Sequence, residues 1–323
     1  MGIVAGLVVL AGLFVGWNLG ANDGANAMGT AVGAKVRTLR QAVFLVAVFG
    51  FLGAVLLGDR VIKTIGKGIV PMEQLDSGLA MHIALAAMFA AGLWILLATY
   101  LKLPVSTTHA TVGAVAGAGL AAHNVPILWN QFIDICLAWI LTPLGSALIA
   151  LLISKLLAVL FAGRSVGNGR WISFLLTLSG IYMAFAWGAN DVANATGIML
   201  GAGIISAKWA AALGGLAIAL GVATWGYKVM ETIGTRITHL VPLMAFVAEL
   251  SAALNVFLYT MWGLPVSTTH SIVGAVFGVG LANGRAALNS RTIRDIVAAW
   301  ASTPLISGAI SFLLFYLFLP LFA

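Results

Sequence analysis

A seven-residue segment, Leu-Pro-Val-Ser-Thr-Thr-His, occurs twice in this chain. Its copies are Leu103–His109 and Leu264–His270, so the second lies 264 − 103 = 161 residues after the first. Each copy follows a second duplicated segment, Gly-Ala-Asn-Asp-x-Ala-Asn-Ala, at Gly20–Ala27 and Gly188–Ala195, with an offset of 188 − 20 = 168 residues. The two pairs of motifs predict a chain of two similar units, each carrying its own set of polar residues.

The surroundings of these polar motifs are almost entirely apolar. Of the 323 residues, 62% are hydrophobic and 8% are charged, whereas soluble domains carry about 25% charged residues. Apolar stretches long enough to cross a hydrocarbon core of about 30 Å recur along the chain, and they are typical of helices, not of barrel strands. The sequence therefore predicts an all-α integral membrane protein with roughly 10–12 membrane helices. We attribute the net charge of +7 to loop orientation and not to nucleic-acid binding, because no basic stripe is interleaved with aromatic residues.

Further matches at the same two offsets extend the duplication over nearly the whole chain. One of them pairs Thr64–Gly66 with Thr232–Gly234. We therefore predict a first membrane repeat over residues 1–162, a Gly-rich basic linker at 163–170 and a second, inverted membrane repeat over 171–323.

The case for inversion comes from equivalent loops of opposite charge character. Residues 35–40 carry three basic side chains, whereas the corresponding stretch 203–209 carries only Lys208. Residues 285–294 also carry three, and the corresponding stretch 123–134 carries none. Because cytoplasmic loops are enriched in Lys and Arg, this pattern predicts two repeats of opposite orientation, with loops 35–40 and 285–294 cytoplasmic and the chain in the plasma (inner) membrane.

Inverted repeats predict how a binding site would be built. Transporters of this kind form their site near the bilayer midplane from broken or re-entrant helices. We expect a break in the first helix of each repeat near its Gly-Ala-Asn-Asp motif, because glycine beside polar residues lets the backbone unwind. A polar amphipathic stretch follows in each repeat, at 59–75 and 227–240.

Two acidic residues occupy equivalent positions inside apolar segments. An ionisable side chain at the centre of a membrane helix costs roughly 2.5–3.5 kcal/mol, so the pair Asp23 and Asp191 indicates a shared use. The two Asn residues of each motif are four apart and share one helix face. Their oxygens, with the carboxylates, are hard ligands that suit a small hard cation. The alternative is hydrogen bonding that joins helices, which Asn often supplies in membranes.

The Pro-Val-Ser-Thr-Thr-His segments are typical of helix starts, since Pro stops the preceding element and Ser or Thr caps the next one. A helix that begins inside the membrane has unpaired N–H groups, which form an anion site together with the helix dipole and the adjacent hydroxyls. Two such ends facing each other across a pseudo-two-fold axis would hold a tetrahedral oxyanion from both sides. The alternative is an ordinary capped helix.

Three further side chains are candidates for accessory roles. His109 and His270 would each contact the substrate, relay a proton or bond a neighbouring carbonyl. Glu249 has no acidic counterpart, since its partner at 249 − 161 = 88 is Met88. It would assist a cation or proton step, or pair two helices.

The duplicated Gly-Ala-Asn-Asp-x-Ala-Asn-Ala and Pro-Val-Ser-Thr-Thr-His motifs resemble those of the inorganic phosphate transporter (PiT) family, over both halves of the chain. The resemblance implies a secondary transporter with inverted repeats, often dimeric, that carries phosphate together with Na⁺ or H⁺. It implies cation-coupling roles for Asn22, Asp23, Asn190 and Asp191. It implies a phosphate site lined by Asn26, Ser106, Thr107, Thr108, Asn194, Ser267, Thr268 and Thr269.

The sequence departs from some relatives in two respects. It lacks a large intracellular loop between the halves, and it has no acidic residue in the second span of the first half, at Phe49–Gly53. The second departure leaves the coupling ion and its stoichiometry open.

Together with this resemblance, the residues predict cation-coupled phosphate symport by alternating access, with Na⁺ favoured. The resemblance implies a homodimer, and we expect no enzymatic activity and no cofactor beyond the co-transported cation. The alternatives are a proton-coupled phosphate or sulfate permease and, with less support, an anion channel. An intramembrane hydrolase using Ser106, His109 and Asp23 is disfavoured, because no nucleophile-elbow signature is present.

Overall fold

The computed structural model describes residues 2–101, 105–161, 169–226, 241–282, 284 and 290–322, with the side chains of 290–296 excepted. Its regular elements in these ranges are helices. Most of the predicted linker, 163–168, lies outside the described residues, as do the second amphipathic stretch, 227–240, and the first part of the predicted cytoplasmic loop, 285–289.

Eleven α-helices are described, in two series of matching order. The first series is α1 (Gly2–Gly33), α2 (Leu39–Leu57), α3 (Asp59–Lys67), α4 (Ser77–Tyr100), α5 (Thr107–Ala121) and α6 (Trp129–Leu160). The second is α7 (Arg170–Gly201), α8 (Ala207–Gly221), α9 (Pro242–Met261), α10 (Thr268–Ala282) and α11 (Ser290–Leu317). Short 3₁₀ turns lie at Met72–Gln74 and Leu319–Leu321, and a π turn at Val222–Gly226 continues α8.

Eight helices in the described part of the chain are long and apolar enough to cross a membrane, namely α1, α2, α4, α6, α7, α8 with its π turn, α9 and α11. Helices α5 and α10 have 15 residues each, which gives a length of about 22 Å, short of a hydrocarbon core of about 30 Å. With these two, the described part of the chain contains ten apolar helices, at the lower end of the predicted range.

Local sequence signals start several of these helices. Thr38 caps α2 by accepting a hydrogen bond from the N–H of Gln41, whose side chain bonds back to Thr38 in a capping box. Asp76 caps α4 by accepting from Gly78 N–H at 2.8 Å. Pro242 occupies the first turn of α9, where its missing N–H costs nothing. The amphipathic helix α3 is charged, with an exposed ion pair between Lys63 and Asp59.

The expected breaks at the Gly-Ala-Asn-Asp motifs are wrong, because α1 and α7 run through them as continuous helices of 32 residues. The motif glycines serve close packing. A Cβ added to Gly20 would lie 2.0 Å from the carbonyl oxygen of Ile218, and one added to Gly188 would lie 1.9 Å from that of Gly50. Glycine at these positions lets two backbones touch, which leaves the helix intact.

Helices α1 and α7 cross in antiparallel directions. A Cβ on Gly12, near the start of α1, would meet Met199, near the end of α7, at 2.6 Å. At the other end, a Cβ on Gly180 would meet Met28 at 2.9 Å. The two Gly-Ala-Asn-Asp motifs lie between these contacts, so they face each other in the middle of the crossing.

The short helices pack across the two series. Helix α5 of the first series lies against α11, where a Cβ on Gly113 would come within 2.5 Å of the Cα of Pro304. Helix α10 of the second series lies against α6, where a Cβ on Gly274 would come within 2.7 Å of the Cα of Pro143. These reciprocal contacts join each short helix to the last long helix of the opposite series.

Candidate functional site

Each short helix begins at the serine of its motif. Ser106 Oγ accepts a hydrogen bond from the N–H of His109, and Ser267 Oγ accepts one from the N–H of His270, both at 3.2 Å. The serines are therefore N-caps, as the sequence predicts. The N–H groups of the two threonines that follow each serine have no acceptor within their own helix, because a helix start leaves its first donors free.

The second threonine of each motif is bonded to the opposite unit. Asn26 Nδ2 on α1 donates to Thr269 Oγ1 on α10 at 2.8 Å. In the equivalent contact, Asn194 Nδ2 on α7 donates to Thr108 Oγ1 on α5 at 3.1 Å. All four side chains are buried. The duplicated motifs therefore form one shared cluster and not two separate sites.

Both aspartates belong to this cluster. Thr107 Oγ1 donates to Asp23 Oδ2 at 2.6 Å, and Thr268 Oγ1 donates to Asp191 Oδ2 at 3.3 Å. Thr269, the next residue along α10, lies at the limit of hydrogen-bond distance from Asp23 Oδ1, at 3.5 Å. Adjacent threonines thus reach different carboxylates, which places the two carboxylates side by side.

The cluster has oxygen ligands to spare. Both aspartates are 1% exposed. Within the described residues, Asp191 Oδ1 and Asn194 Oδ1 are buried and accept no hydrogen bond. Buried carboxylates without enough donors are costly unless a cation or a proton neutralises them. The chemistry of this donor set, carboxylate, amide and hydroxyl oxygens, fits a hard cation.

Asn22 and Asn190 lie one turn before the second asparagine of each motif, on α1 and α7. They bond the ends of α4 and α9, the helices that precede the two short helices. Asn22 Nδ2 donates to Thr99 Oγ1 at 2.6 Å, and Asn190 Nδ2 donates to Thr260 Oγ1 at 2.9 Å. The Oδ1 of Asn190 also accepts from the N–H of Val266 at 3.0 Å. In this conformation the Asn190 amide shapes the extended segment that leads into α10.

The sequence profile of the phosphate transporter family matches residues 19–171 and again 163–311. The chain belongs to the phosphate transporter family. A Pyrococcus abyssi protein whose name includes the term phosphate permease is 35% identical, with 96% of each chain covered. The chloroplastic inorganic phosphate transporter 2-1 of Arabidopsis thaliana is 30% identical, over 91% of this chain and 69% of that protein.

A solved structure described as the sodium-dependent phosphate transporter has the same fold. It superimposes with a TM-score of 0.92 at 31% identity, and the match covers 99% of both chains. Together with the eight apolar helices, membership of this family makes the chain a multi-pass membrane protein and a transporter, not an enzyme, with phosphate as the substrate of the family.

The geometry around Ser106 and His109 also argues against the intramembrane hydrolase alternative. Ser106 Oγ is bonded to the backbone N–H of His109 and not to its ring. The Nδ1 of that ring lies 3.0 Å from the carbonyl oxygen of Trp300. Within the described residues its Nε2 has no hydrogen-bond partner. A nucleophile needs a base within reach, and among the described residues no base is hydrogen-bonded to Ser106 Oγ.

Glu249 lies on α9, fully buried, beside the shared cluster. Its carboxylate accepts hydrogen bonds from the hydroxyls of Thr30 and Ser179, the latter at 3.1 Å. Thr30 lies four residues, about one turn, beyond Asn26 on α1. Glu249 therefore joins α9 to both crossing helices, one turn away from the cluster.

Sequence reasoning missed Thr99 and Thr260, which bond the first asparagine of each motif. The signal was present, because the two lie 260 − 99 = 161 residues apart, the offset of the surrounding repeat. It also missed Trp139 and Trp300, which surround the two histidines. They share the same offset, 300 − 139 = 161. A search for all polar and aromatic matches at that offset would have found both pairs.

Proposed function

We propose that this protein carries inorganic phosphate across the membrane by cation-coupled symport, with Na⁺ as the favoured cation. The observation that carries the proposal is the placement of Asp23 and Asp191 in one buried cluster with the starts of α5 and α10. The structural neighbour described as sodium-dependent supports Na⁺ over H⁺.

In this proposal phosphate is held by donors that carry no formal charge. Hydroxyls and amides line the site, and the positive ends of two helix dipoles point at it. The phosphate oxygens would accept hydrogen bonds from the asparagines and threonines that now bond one another. The proposed phosphate-binding residues are Asn26, Ser106, Thr107, Thr108, Asn194, Ser267, Thr268 and Thr269.

The proposed sodium-coupling residues are Asn22, Asp23, Asn190 and Asp191. Two bare carboxylates repel a phosphate anion strongly in a buried site, where the effective dielectric constant is low. Na⁺ bound to them would cancel this repulsion and so create a site that phosphate fills. Coupling then follows from electrostatics, because neither ion binds well alone. Glu249 would assist the cation step from its position one turn away.

Transport would proceed by alternating access between two inverted repeats, residues 1–162 and 171–323, joined by the linker at 163–170. The antiparallel crossing of α1 and α7, the first helices of the two repeats, supports this arrangement. We further propose that loops 35–40 and 285–294 face the cytoplasm, that the plasma (inner) membrane is its location, and that the transporter assembles as a homodimer.

The test is uptake of radiolabelled phosphate and sulfate into proteoliposomes under imposed Na⁺ or H⁺ gradients. We expect Na⁺-driven uptake of phosphate and little uptake of sulfate. Uptake driven by H⁺ alone would support the proton-coupled alternative, uptake of sulfate at a similar rate would support a sulfate permease, and uptake without any gradient dependence would support a channel.

The first variant to compare is Asp23→Asn. We expect it to lower Na⁺-driven phosphate uptake at least about tenfold, because the amide cannot neutralise a bound cation. Asp59→Asn is the matched control, since Asp59 lies in an exposed ion pair with Lys63 on α3. Undiminished Na⁺ stimulation in Asp23→Asn would refute the coupling role of that carboxylate.

A further inference from the structure

The carbonyl oxygens of Trp139 and Trp300 occupy special positions in the last long helix of each unit. In an α-helix a carbonyl accepts from the N–H four residues later. Four residues after Trp139 is Pro143, and four residues after Trp300 is Pro304, both inside their helices. Proline has no N–H, so both carbonyls lose their intrahelical donor.

A histidine from the opposite unit lies at each of these carbonyls. His109 Nδ1, at the start of α5, is 3.0 Å from Trp300 O on α11. His270 Nδ1, at the start of α10, is 3.3 Å from Trp139 O on α6. Because a carbonyl only accepts, each imidazole carries its proton on Nδ1 and donates it. The histidine therefore replaces the donor that the proline lacks.

The four rings form one contiguous aromatic cluster between the two units. The ring centroids of His109 and Trp139 are 3.8 Å apart, and those of His270 and Trp300 are 3.5 Å apart. The two imidazoles meet edge to face at 4.5 Å. Each histidine thus touches the tryptophan ring of its own unit and the tryptophan carbonyl of the other. Both are buried, at 4% and 2% exposure.

We propose that His109 and His270 are positioning residues, each of which fixes the first turn of one short helix to the proline-freed carbonyl of the opposite unit. The same turns carry Thr107, Thr108, Thr268 and Thr269. Loss of the histidine bond would therefore misplace the threonines that are proposed to bind phosphate. This consequence for transport rests on the proposed function, whereas the bond itself does not.

Two substitutions separate the hydrogen bond from the ring. His109→Phe keeps an aromatic ring against Trp139 but removes the Nδ1 donor. His109→Asn loses the ring, but its amide N–H branches from the same carbon as Nδ1. We expect His109→Phe to raise the KM for phosphate about five- to tenfold, the effect of one lost hydrogen bond, and His109→Asn to stay within about twofold of wild type.

A third substitution tests the partner carbonyl. Pro304→Ala supplies a backbone N–H that bonds Trp300 O within α11, so His109 is no longer needed there. In the Pro304→Ala background, His109→Phe should change the KM and the melting temperature by much less than it does alone. The cycle is also measured by thermal unfolding in detergent, which needs no transport.

His82 is the matched control because it is a buried histidine with the same kind of contact outside the site. Its Nε2 lies 2.7 Å from the carbonyl oxygen of Phe315, and its ring stacks on Phe315 at 3.9 Å. His82→Phe should lower the melting temperature and leave the KM for phosphate unchanged. His109→Phe should change the KM as well, because His109 positions residues that are proposed to bind phosphate.

Three results would overturn the proposal. His109→Asn as impaired as His109→Phe, with a changed pH profile of uptake, would assign the imidazole a proton-transfer role. Additive effects of His109→Phe and Pro304→Ala would show that Trp300 O is not the relevant acceptor. A change of KM in His82→Phe equal to that in His109→Phe would show that both histidines affect transport only through the stability of the fold.

If His109→Phe fails to fold, the same cycle with His270→Phe and Pro143→Ala tests the equivalent bond. Absence of phosphate uptake by the wild-type protein would count against the proposed function, and a non-additive unfolding cycle would still support the bond.

Discussion

The two sides of the central cluster differ sharply although they are built from equivalent positions. On one side Glu249 accepts hydrogen bonds from the hydroxyls of Thr30 and Ser179. By the repeat offsets, 30 + 168, 179 − 168 and 249 − 161, the equivalent residues on the other side are Ile198, Ala11 and Met88. All three of these are buried and belong to the apolar core.

Equivalent positions therefore share polar side chains at the centre of the cluster but not one turn away from it. The centre keeps its polar residues in both units, with reciprocal bonds from Asn26 to Thr269 and from Asn194 to Thr108. One turn away, one copy holds a buried hydrogen-bonded carboxylate and the other holds only apolar side chains. The two sides therefore differ in the cost of burying a charge, because only one of them supplies hydroxyl donors to a carboxylate.

The largest effect is expected when a carboxylate is placed on the apolar side of the cluster. Met88→Glu buries a carboxylate among apolar neighbours with no hydroxyl donors at the equivalent positions. We expect it to destabilise the protein by about 3–5 kcal/mol, the cost of an uncompensated buried charge. Thermal unfolding in detergent measures the effect, and Met88→Leu, which keeps the side-chain volume, is the control.

Adding Ala11→Ser and Ile198→Thr to Met88→Glu should recover part of the lost stability, because the two hydroxyls recreate the donors that surround Glu249. No recovery in the triple variant would mean that the polar side depends on more than the carboxylate and its two hydroxyl partners.

The converse change makes the polar side apolar. Glu249→Met leaves the hydroxyl of Thr30 without its carboxylate acceptor, whereas that of Ser179 still reaches the carbonyl oxygen of Leu176 at 3.0 Å. We expect a destabilisation of about 1–3 kcal/mol. Glu249→Gln keeps one acceptor oxygen and a similar shape, so it should cost about 1 kcal/mol or less. The comparison is made by unfolding and by phosphate uptake in parallel.

If Glu249 only joins helices, Glu249→Gln should transport phosphate as the wild type does. If it takes part in the cation step, uptake should fall while the fold persists. Equal stability of Glu249→Met and the wild type would show that the hydrogen bonds of this side contribute nothing to the fold.

The smallest expected effect belongs to one hydroxyl. Ser179→Ala removes the donor to Glu249 Oε2 and makes position 179 identical to its counterpart Ala11. We expect a loss of about 1 kcal/mol, because Thr30 continues to bond the carboxylate. The control is Ser173→Ala, which changes a half-buried serine on the same helix. It should change the melting temperature by less. A larger loss in the control would place the stabilising contact elsewhere on α7.

The sequence predicted the helical membrane class, the family and the caps of α5 and α10, because each rests on a local or repeated signal. The serine that starts each short helix is recognisable from Pro-Val-Ser-Thr-Thr-His alone. Hydropathy identified the spans because each long helix is apolar along most of its length. The roles of individual site residues, the identity of the coupling ion and the repeat boundaries stay predictions.

The continuity of α1 and α7 was not predictable from their own residues. A glycine beside polar side chains is compatible with an unwound helix and with close helix packing alike. Only the carbonyls of Ile218 and Gly50, which approach Gly20 and Gly188 from distant parts of the chain, decide between the two. The same holds for the carbonyls of Trp139 and Trp300, whose availability follows from Pro143 and Pro304 but whose partners come from the opposite unit.

The adjacent threonines 268 and 269 connect the first turn of α10 to both buried aspartates. Neighbouring residues of a helix project about 100° apart, so Thr268 and Thr269 reach Asp191 and Asp23 in different directions from one turn. Rotation or translation of that turn alters the distance to both carboxylates at once. The start of α10 therefore links the acidic residues of the two halves, so that a displacement of this one turn would change the hydrogen bonds of both.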